Sequence, residues 1–185
     1  MKKIDVELEG ITPLLMHKLG EVALAAMKAQ SKKTTDIPIP EDEAEDGAYR
    51  KKDGELYIPA RCIKASLLRA AGWYKIGKKS MKQYIAGCIT IEPHDVGLGT
   101  DKYEIDVRPV VIGRGNKILR ARPRIDTWKV KFNLIYNEDV FKTPDSLNTI
   151  RQILEEAGMR CGLLDNRPEK NGENGIFKVV GWKAL

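Results

Sequence analysis

Residues 55–72 read ELYIPARCIKASLLRAAG, and their order sets how the rest of the chain folds around them. Leu56, Tyr57 and Ile58 are strand formers, and Pro59 ends the run because proline has no N–H to give to a sheet ladder. Beyond it Ile63, Leu67, Ala70, Ala71 and Tyr74 recur at helical spacing, with Gly72 and Gly77 marking the end region. Arg61 and Lys64, three residues apart, share a different helix face, and Arg69 adds a third base. A strand thus hands over directly to a basic helix.

Working outward, Ile4, Val6 and Leu8 alternate with Asp5, Glu7 and Glu9, the period of a half-buried strand closed by Gly10 and Pro13. Residues 19–30 read as a short alanine-rich helix. The polar, proline-punctuated stretch from Ser31 to Gly54 reads as a mobile acidic insertion. A strand is expected over Ile85–Glu92, and two β-rich arms from Tyr103 to Ala121 flank a tip at Gly113–Asn116. Trp128, Val130, Phe132, Leu134 and Tyr136 alternate as another strand. Thr143 as N-cap, Pro144 at N1 and Asp145 open a helix whose apolar stripe is Leu147, Ile150, Ile153, Leu154 and Ala157, with Gly158 as its stop. A glycine-bearing loop leads to a last strand, IFKVVGWK. The order strand, helix, strand, strand, helix, strand predicts an α+β domain with a ferredoxin-like or RRM-like βαββαβ core. One domain spans 1–185, with insertions at 19–54 and at the basic hairpin 103–122.

The 185 residues are 42% apolar and 31% charged, ordinary for a globular chain. No run approaches a membrane span, and MKKIDVELEG lacks the apolar region of a signal peptide. Cys62, Cys88 and Cys161 are too few and too widely spaced for a disulfide framework or a zinc knuckle, so a reducing cytoplasm and small core roles are expected. His17 and His94 have no partner at ligand spacing, and neither a metal nor another cofactor is expected. No hydrolase, kinase or metalloprotease motif is present. His17 and His94 are candidates for a general acid or base beside a structural or merely exposed role, and the carboxylates of residues 41–46 could collect a divalent ion or form a solvated loop.

Charge says more. Residues 36–46 hold six acids and no base, so a net charge of +6 leaves +12 on the rest. Between 108 and 131 eight bases (Arg108, Arg114, Lys117, Arg120, Arg122, Arg124, Lys129 and Lys131) face one acid, Asp126. Arginine forks suit phosphates, and Arg120, Arg122 and Arg124 alternate as a ladder on one strand face. Near the tip, Arg114 and Lys117 are interleaved with Ile112 and Ile118, an apolar wedge beside phosphate grips. The competing reading is a solvated hairpin whose arginines protect its edges. Only 6% of residues are aromatic, and Asp5, Glu7 and Glu9 make the sheet face a poor platform, so binding falls to the helix, hairpin and loops. The acidic insertion and basic hairpin would also suit each other across a head-to-tail contact between copies, which builds an open filament; the competing reading is that the two segments neutralise each other within one chain.

With these elements in place, the chain resembles the RAMP superfamily of CRISPR-associated proteins, and within it the Cas seven-type backbone subunits. Gly10-Ile11-Thr12-Pro13-Leu14 matches the family's glycine and "P-L" stretch after the first strand. Tyr57-Ile58-Pro59 with Lys64 and Arg69, preceded by Asp53-Gly54, matches the tyrosine-isoleucine-proline segment that opens its helix. Gly162, Gly172 and Gly175 match loosely its glycine-rich loop before the last strand. The resemblance implies a helix start that faces a guide strand, a "thumb" at 103–122, and sequence-independent binding of single-stranded nucleic acid, RNA rather than DNA, by copies in a filament with other CRISPR effector subunits. The expected contacts are Arg61, Lys64, Arg69, Arg108, Arg114, Lys117, Arg120, Arg122 and Arg124. The alternatives are a RAMP-type endoribonuclease, which would use His17 or one of the carboxylates of residues 41–46, a phage-type single-stranded DNA-binding protein, and a basic protein-interaction domain.

Overall fold

The computed structural model describes residues 1–20, 24–25, 39–112 and 115–185, with backbone alone at 112 and 116. Strand β1 (Lys2–Gly10) turns Ile4, Val6 and Leu8 into the core at 2% exposure or less. It lies between β10 (Lys129–Tyr136) and β11 (Phe177–Ala184), antiparallel to both, and β6 (Ile89–Glu92) continues the sheet beyond β10. The order β11-β1-β10-β6 places the fourth core strand beside the first and the third between first and second. That is the ferredoxin-like arrangement expected from the element order.

The buried face is covered by α2 (Ala60–Ala71) and α4 (Pro144–Glu156), whose stripes Ile63, Leu67, Ala70, Ala71 and Ile150, Ile153, Leu154 join one core with the sheet. Pro59 closes β3 (Tyr57–Pro59), which pairs with β7 (Asp95–Gly97), and the Ala60 N–H donates to the His94 carbonyl. The strand partner therefore seats the first turn of α2. At α4 the Thr143 hydroxyl accepts from the Ser146 N–H at 3.2 Å and the Ser146 hydroxyl accepts from the Thr143 N–H at 3.3 Å, a reciprocal cap worth ~1 kcal/mol.

Three expectations are corrected. Residues 85–88 belong not to a strand but to α3 (Met81–Cys88), because Ser80 caps it and Met81 and Ile85 bury one helical face; β6 starts at Ile89. A four-residue apolar run carries no period that separates the two. Residues 40–47 are not a mobile loop but α1 (Pro40–Gly47), with Pro40 opening it and Glu41, Asp42 and Glu43 at its positive end. Its Ala44 and Gly47 are buried, and it packs against β9 (Asn116–Ile125). Gly158 does not stop α4: the chain runs on through a π turn, Ala157–Cys161, and reverses at Gly162 with φ +70°. Gly158 is glycine because a Cβ there would strike the Phe177 carbonyl oxygen. Residues 21–23, 26–38 and 113–114 lie outside the described residues, and with them most of the helix expected over 19–30.

The three cysteines are free. Cys161 is buried, Cys62 and Cys88 are half-buried, and burial pushes the Cys62 and Cys161 thiols up. Among the described residues no helix is long and apolar enough to cross a membrane.

Candidate nucleic-acid interface

The hairpin of β8 (Glu104–Ile112) and β9 pairs Asp106 with Arg122, Arg108 with Arg120 and Glu104 with Arg124. Side chains directly opposite share a sheet face, so the arginine ladder exists as geometry. It is not a free positive surface. Arg108 Nε lies 2.6 Å from Asp106 Oδ1, Arg120 Nη1 2.9 Å from Glu43 Oε1, and Arg124 Nε 2.6 Å from Asp126 Oδ1. Arg122 Nε lies 2.9 Å from Asp165 Oδ2, an ion-pair contact whose angle falls short of a hydrogen bond. Glu43 also accepts from the Ala121 N–H at 2.9 Å. The acidic helix and the basic hairpin thus meet within one chain, so the charge match expected between copies is made internally.

The opposite hairpin face is apolar and exposed: Ile105, Val107, Val111 and Leu119 are 38%, 46%, 64% and 53% accessible, and Lys117 stands among them. Arg114 lies outside the described residues. The base of the hairpin is braced by Arg50, whose guanidinium grips both Glu45 oxygens at 2.6 and 2.8 Å and donates to the Gly54 and Asp101 carbonyls. The Arg50 hydrogen bond holds Glu45 below the ordinary carboxylate range despite partial burial. Tyr103 donates to the same carboxylate at 2.8 Å, and burial, then that bond, pushes its hydroxyl up to about 12.

The sheet's open face also differs from its sequence. Lys131 pairs with Glu7 at 3.4 Å, while Lys129 and Lys178 reach Glu9 at 3.6 and 3.5 Å. Of the three acids expected to repel phosphate, Glu7 and Glu9 are held in cross-strand ion pairs.

A different surface keeps its charge. From Leu56 to Ile91 there is no acidic residue, yet Arg61, Lys64, Arg69, Lys75, Lys78, Lys79 and Lys82 fall within it. Arg61 stands exposed at the start of α2 beside Tyr49, whose hydroxyl is the main reason the Arg61 pKa is raised. Tyr49 meets Tyr57 edge to face at 5.7 Å, so two half-buried aromatic rings flank the helix start. Lys64 turns aside and donates to the Ala86 carbonyl at 3.0 Å, near the negative end of α3. Arg69, on the last turn of α2, pairs with Glu169 at 3.0 Å but leaves 59% of its side chain exposed. Lys75, Lys78 and Lys79 are exposed on the short ribbon of β4 (Lys75–Ile76) and β5 (Lys79–Ser80). The sequence signal for this surface is the length of its acid-free run, whereas the density of bases marks the hairpin.

The loop of residues 162–175 joins the two regions. Asp165 takes Arg122 of the hairpin, Arg167 donates to the Leu164 carbonyl at 2.7 Å, and Glu169 receives Arg167 at 3.2 Å as well as Arg69. The loop's shape is set by glycines: Gly175, at φ +72°, would drive a Cβ into the Leu163 carbonyl. His17 and His94 are exposed. Among the described residues no three His, Cys, Asp or Glu side chains gather as metal ligands.

No family model matches the chain, and no curated protein matches it. Its fold has matches among solved structures. A chain of the cryo-electron microscopy structure of the Type III-B Cmr-beta bound to cognate target RNA is similar over 100% of this chain and 60% of that chain, with a TM-score of 0.65 and 15% sequence identity. This chain therefore spans 60% of the length of the one it matches, and at 15% identity the likeness is one of fold. What is shared with that chain is an α+β fold with a ferredoxin-like core.

Proposed function

We propose that this chain binds single-stranded RNA without reading its sequence, as a non-catalytic, repeating subunit of a CRISPR ribonucleoprotein. The observation that carries the proposal is the whole-chain fold likeness to a Cmr-beta chain from a structure that holds target RNA. The charge distribution supports it. Phosphates would be met first by the cations without carboxylates of their own, Arg61 and the ribbon lysines, and by Lys117 on the hairpin. Arg69, Arg108, Arg120, Arg122 and Arg124 contribute less, since a phosphate must compete with a carboxylate already in place. Lys64 must leave the Ala86 carbonyl, and Arg114, among the expected contacts, lies outside the described residues.

Side-by-side assembly, in turn, draws support from the exposed apolar hairpin face rather than from opposite charges. Ile105, Val107, Val111 and Leu119 form a stripe of the kind that marks protein-facing surface. Each added copy would lengthen the cationic track, so binding should be cooperative along the strand.

The test is protein purified without nuclease. Its 260/280 nm absorbance ratio should reveal co-purifying RNA, and single-stranded RNA should shift in a gel more than single-stranded DNA or duplex. Ultracentrifugation should show more copies on longer strands. Labelled RNA should stay intact with and without EDTA. No shift at low salt would leave a protein-interaction domain, shortened products would make the chain a nuclease, and a preference for DNA would make it a single-stranded DNA-binding protein.

A further inference from the structure

At the C-terminal end of α2 lies an aromatic, cationic cleft around Trp73. Arg69, Trp73, Lys82, Arg160 and Glu169 are among the residues that line an open space of 340 Å³, within the ~300–1,000 Å³ of small-ligand sites. Trp73 is 47% exposed although it is the largest kind of apolar side chain. The Arg160 guanidinium carbon lies 4.1 Å from its ring centroid, so a cation holds one face of the indole while about half of the residue stays open to solvent. Arg160 is itself tethered by Glu156 at 3.5 Å, and Arg69 by Glu169 at 3.0 Å. On the lining, three cations face one carboxylate, and Glu169 is further shared with Arg167. Exposed Lys75, Lys78 and Lys79 follow within a few residues of Trp73.

A flat apolar ring steadied by an arginine and surrounded by spare positive charge fits a ligand that is planar at one end and anionic at the other. An acidic peptide would use the cations but not the indole. A nucleotide uses both. We propose that this cleft is a nucleotide subsite, in which an unpaired base stacks on Trp73 and its phosphates are met by Arg69, Lys82 and the ribbon lysines. The nucleotide is one unit of a bound single strand or a free mononucleotide; in the first case the site rests on the RNA binding proposed above and locates part of it.

The three tryptophans make the test optical. Trp128 is 3% exposed and Trp182 is half-buried, so the difference between the emission of wild type and W73F isolates Trp73. Titration with single-stranded RNA should quench that difference signal saturably. W73A should weaken RNA binding, followed independently by anisotropy of labelled strand, roughly 5- to 150-fold, the equivalent of the ~1–3 kcal/mol of one base stack. W73F keeps an aromatic face and should lose much less. If RNA binds by anisotropy while Trp73 emission and W73A affinity are unchanged, the subsite is wrong although RNA binding stands, and Trp73, Ile76 and Met159 become a protein-facing patch. If RNA does not bind at all, RNA binding fails, and titration with AMP decides the cleft: saturable quenching absent from W73F upholds it for a free nucleotide, and no quenching overturns it.

Discussion

Within residues 104–126 every described arginine lies within 2.9 Å of a carboxylate, whereas the 36 residues from Leu56 to Ile91 contain no carboxylate side chain at all. Along the chain the hairpin is the denser basic segment. In space it is the better neutralised one: Asp106 and Asp126 stand two residues along the chain from Arg108 and Arg124, while Glu43 is brought to Arg120 by α1 and Asp165 to Arg122 by the loop before β11. Partly exposed pairs of this kind contribute about 0–1 kcal/mol each, so their effect is to fix the hairpin against α1 and the loop rather than to raise stability greatly. The α2–ribbon surface has the opposite construction: few internal pairs, exposed lysines and an exposed tryptophan. Charge that has been used to hold a fold together is not available in full to a polyanion, and that is the lesson of the contrast.

The largest expected effect falls on the unpaired side. Replacing Lys75, Lys78, Lys79 and Lys82 together with alanine should lower the salt slope of single-stranded RNA binding by up to about 2.8, at ~0.7 per lost phosphate contact, and weaken binding by orders of magnitude at low salt. The matched quadruple change of Arg108, Arg120, Arg122 and Arg124 to alanine should lower the slope by clearly less. Anisotropy titrations across a salt series decide it; a larger drop for the hairpin set breaks the comparison.

A second expectation concerns stability. Arg122, with 17% of its side chain exposed, ties the hairpin to Asp165, so Arg122→Ala should destabilise by about 1 kcal/mol with the salt slope nearly unchanged. Denaturant melts of R122A, D165A and the double variant should show the two changes to be less than additive. Strict additivity would mean the pair does not brace the loop.

Removing an acid should act in the other direction. Glu43→Gln keeps an acceptor for the Ala121 N–H but removes the negative charge that neutralises Arg120, so RNA affinity should rise and the salt slope should steepen by at most about 0.7. Weaker binding in E43Q would show that α1, not Arg120, is what the strand needs.

The smallest effect is on pH dependence at the hairpin base. Arg50 lowers the Glu45 pKa in the folded state, so this contribution is present above the ordinary glutamate range of about 4.3 and is lost as pH falls through the lowered folded value. Melts of wild type and E45Q should therefore differ at neutral pH, by no more than about 1 kcal/mol for so exposed a pair, and converge on acidification. At the alkaline end Tyr103 should be among the last tyrosines to ionise, near 12, and Tyr103→Phe should remove that late component from a 295 nm titration. Curves that stay parallel down to acid pH would separate Glu45 from the brace.

The core was legible from local pattern. The alternation of β1 and β10, the stripe of α2, and the Thr143-Pro144 start of α4 each depend on neighbours within a few residues, where the periods of strand and helix act directly. Their order alone then led to the ferredoxin-like plan. The hairpin was legible for the same reason, as two extended arms around a glycine-bearing tip. The boundary at 85–89 was not, since four apolar residues fit helix and strand equally. Nor was the role of Gly158, whose missing side chain makes room for a strand that arrives 19 residues later.

The sequence by itself determined the fold class, the α2 and α4 faces, the strand alternation and the total charge. Only the tertiary structure decided which of those charges remain open to a partner. Glu43 and Arg120 are 77 positions apart, and Arg122 and Asp165 are 43. Coulomb attraction depends on distance through space, and no period along the chain records that these residues will stand 2.9 Å from each other. The same holds for Trp73 and Arg160, which come from different elements and meet only because α2 and the turn after α4 pack side by side.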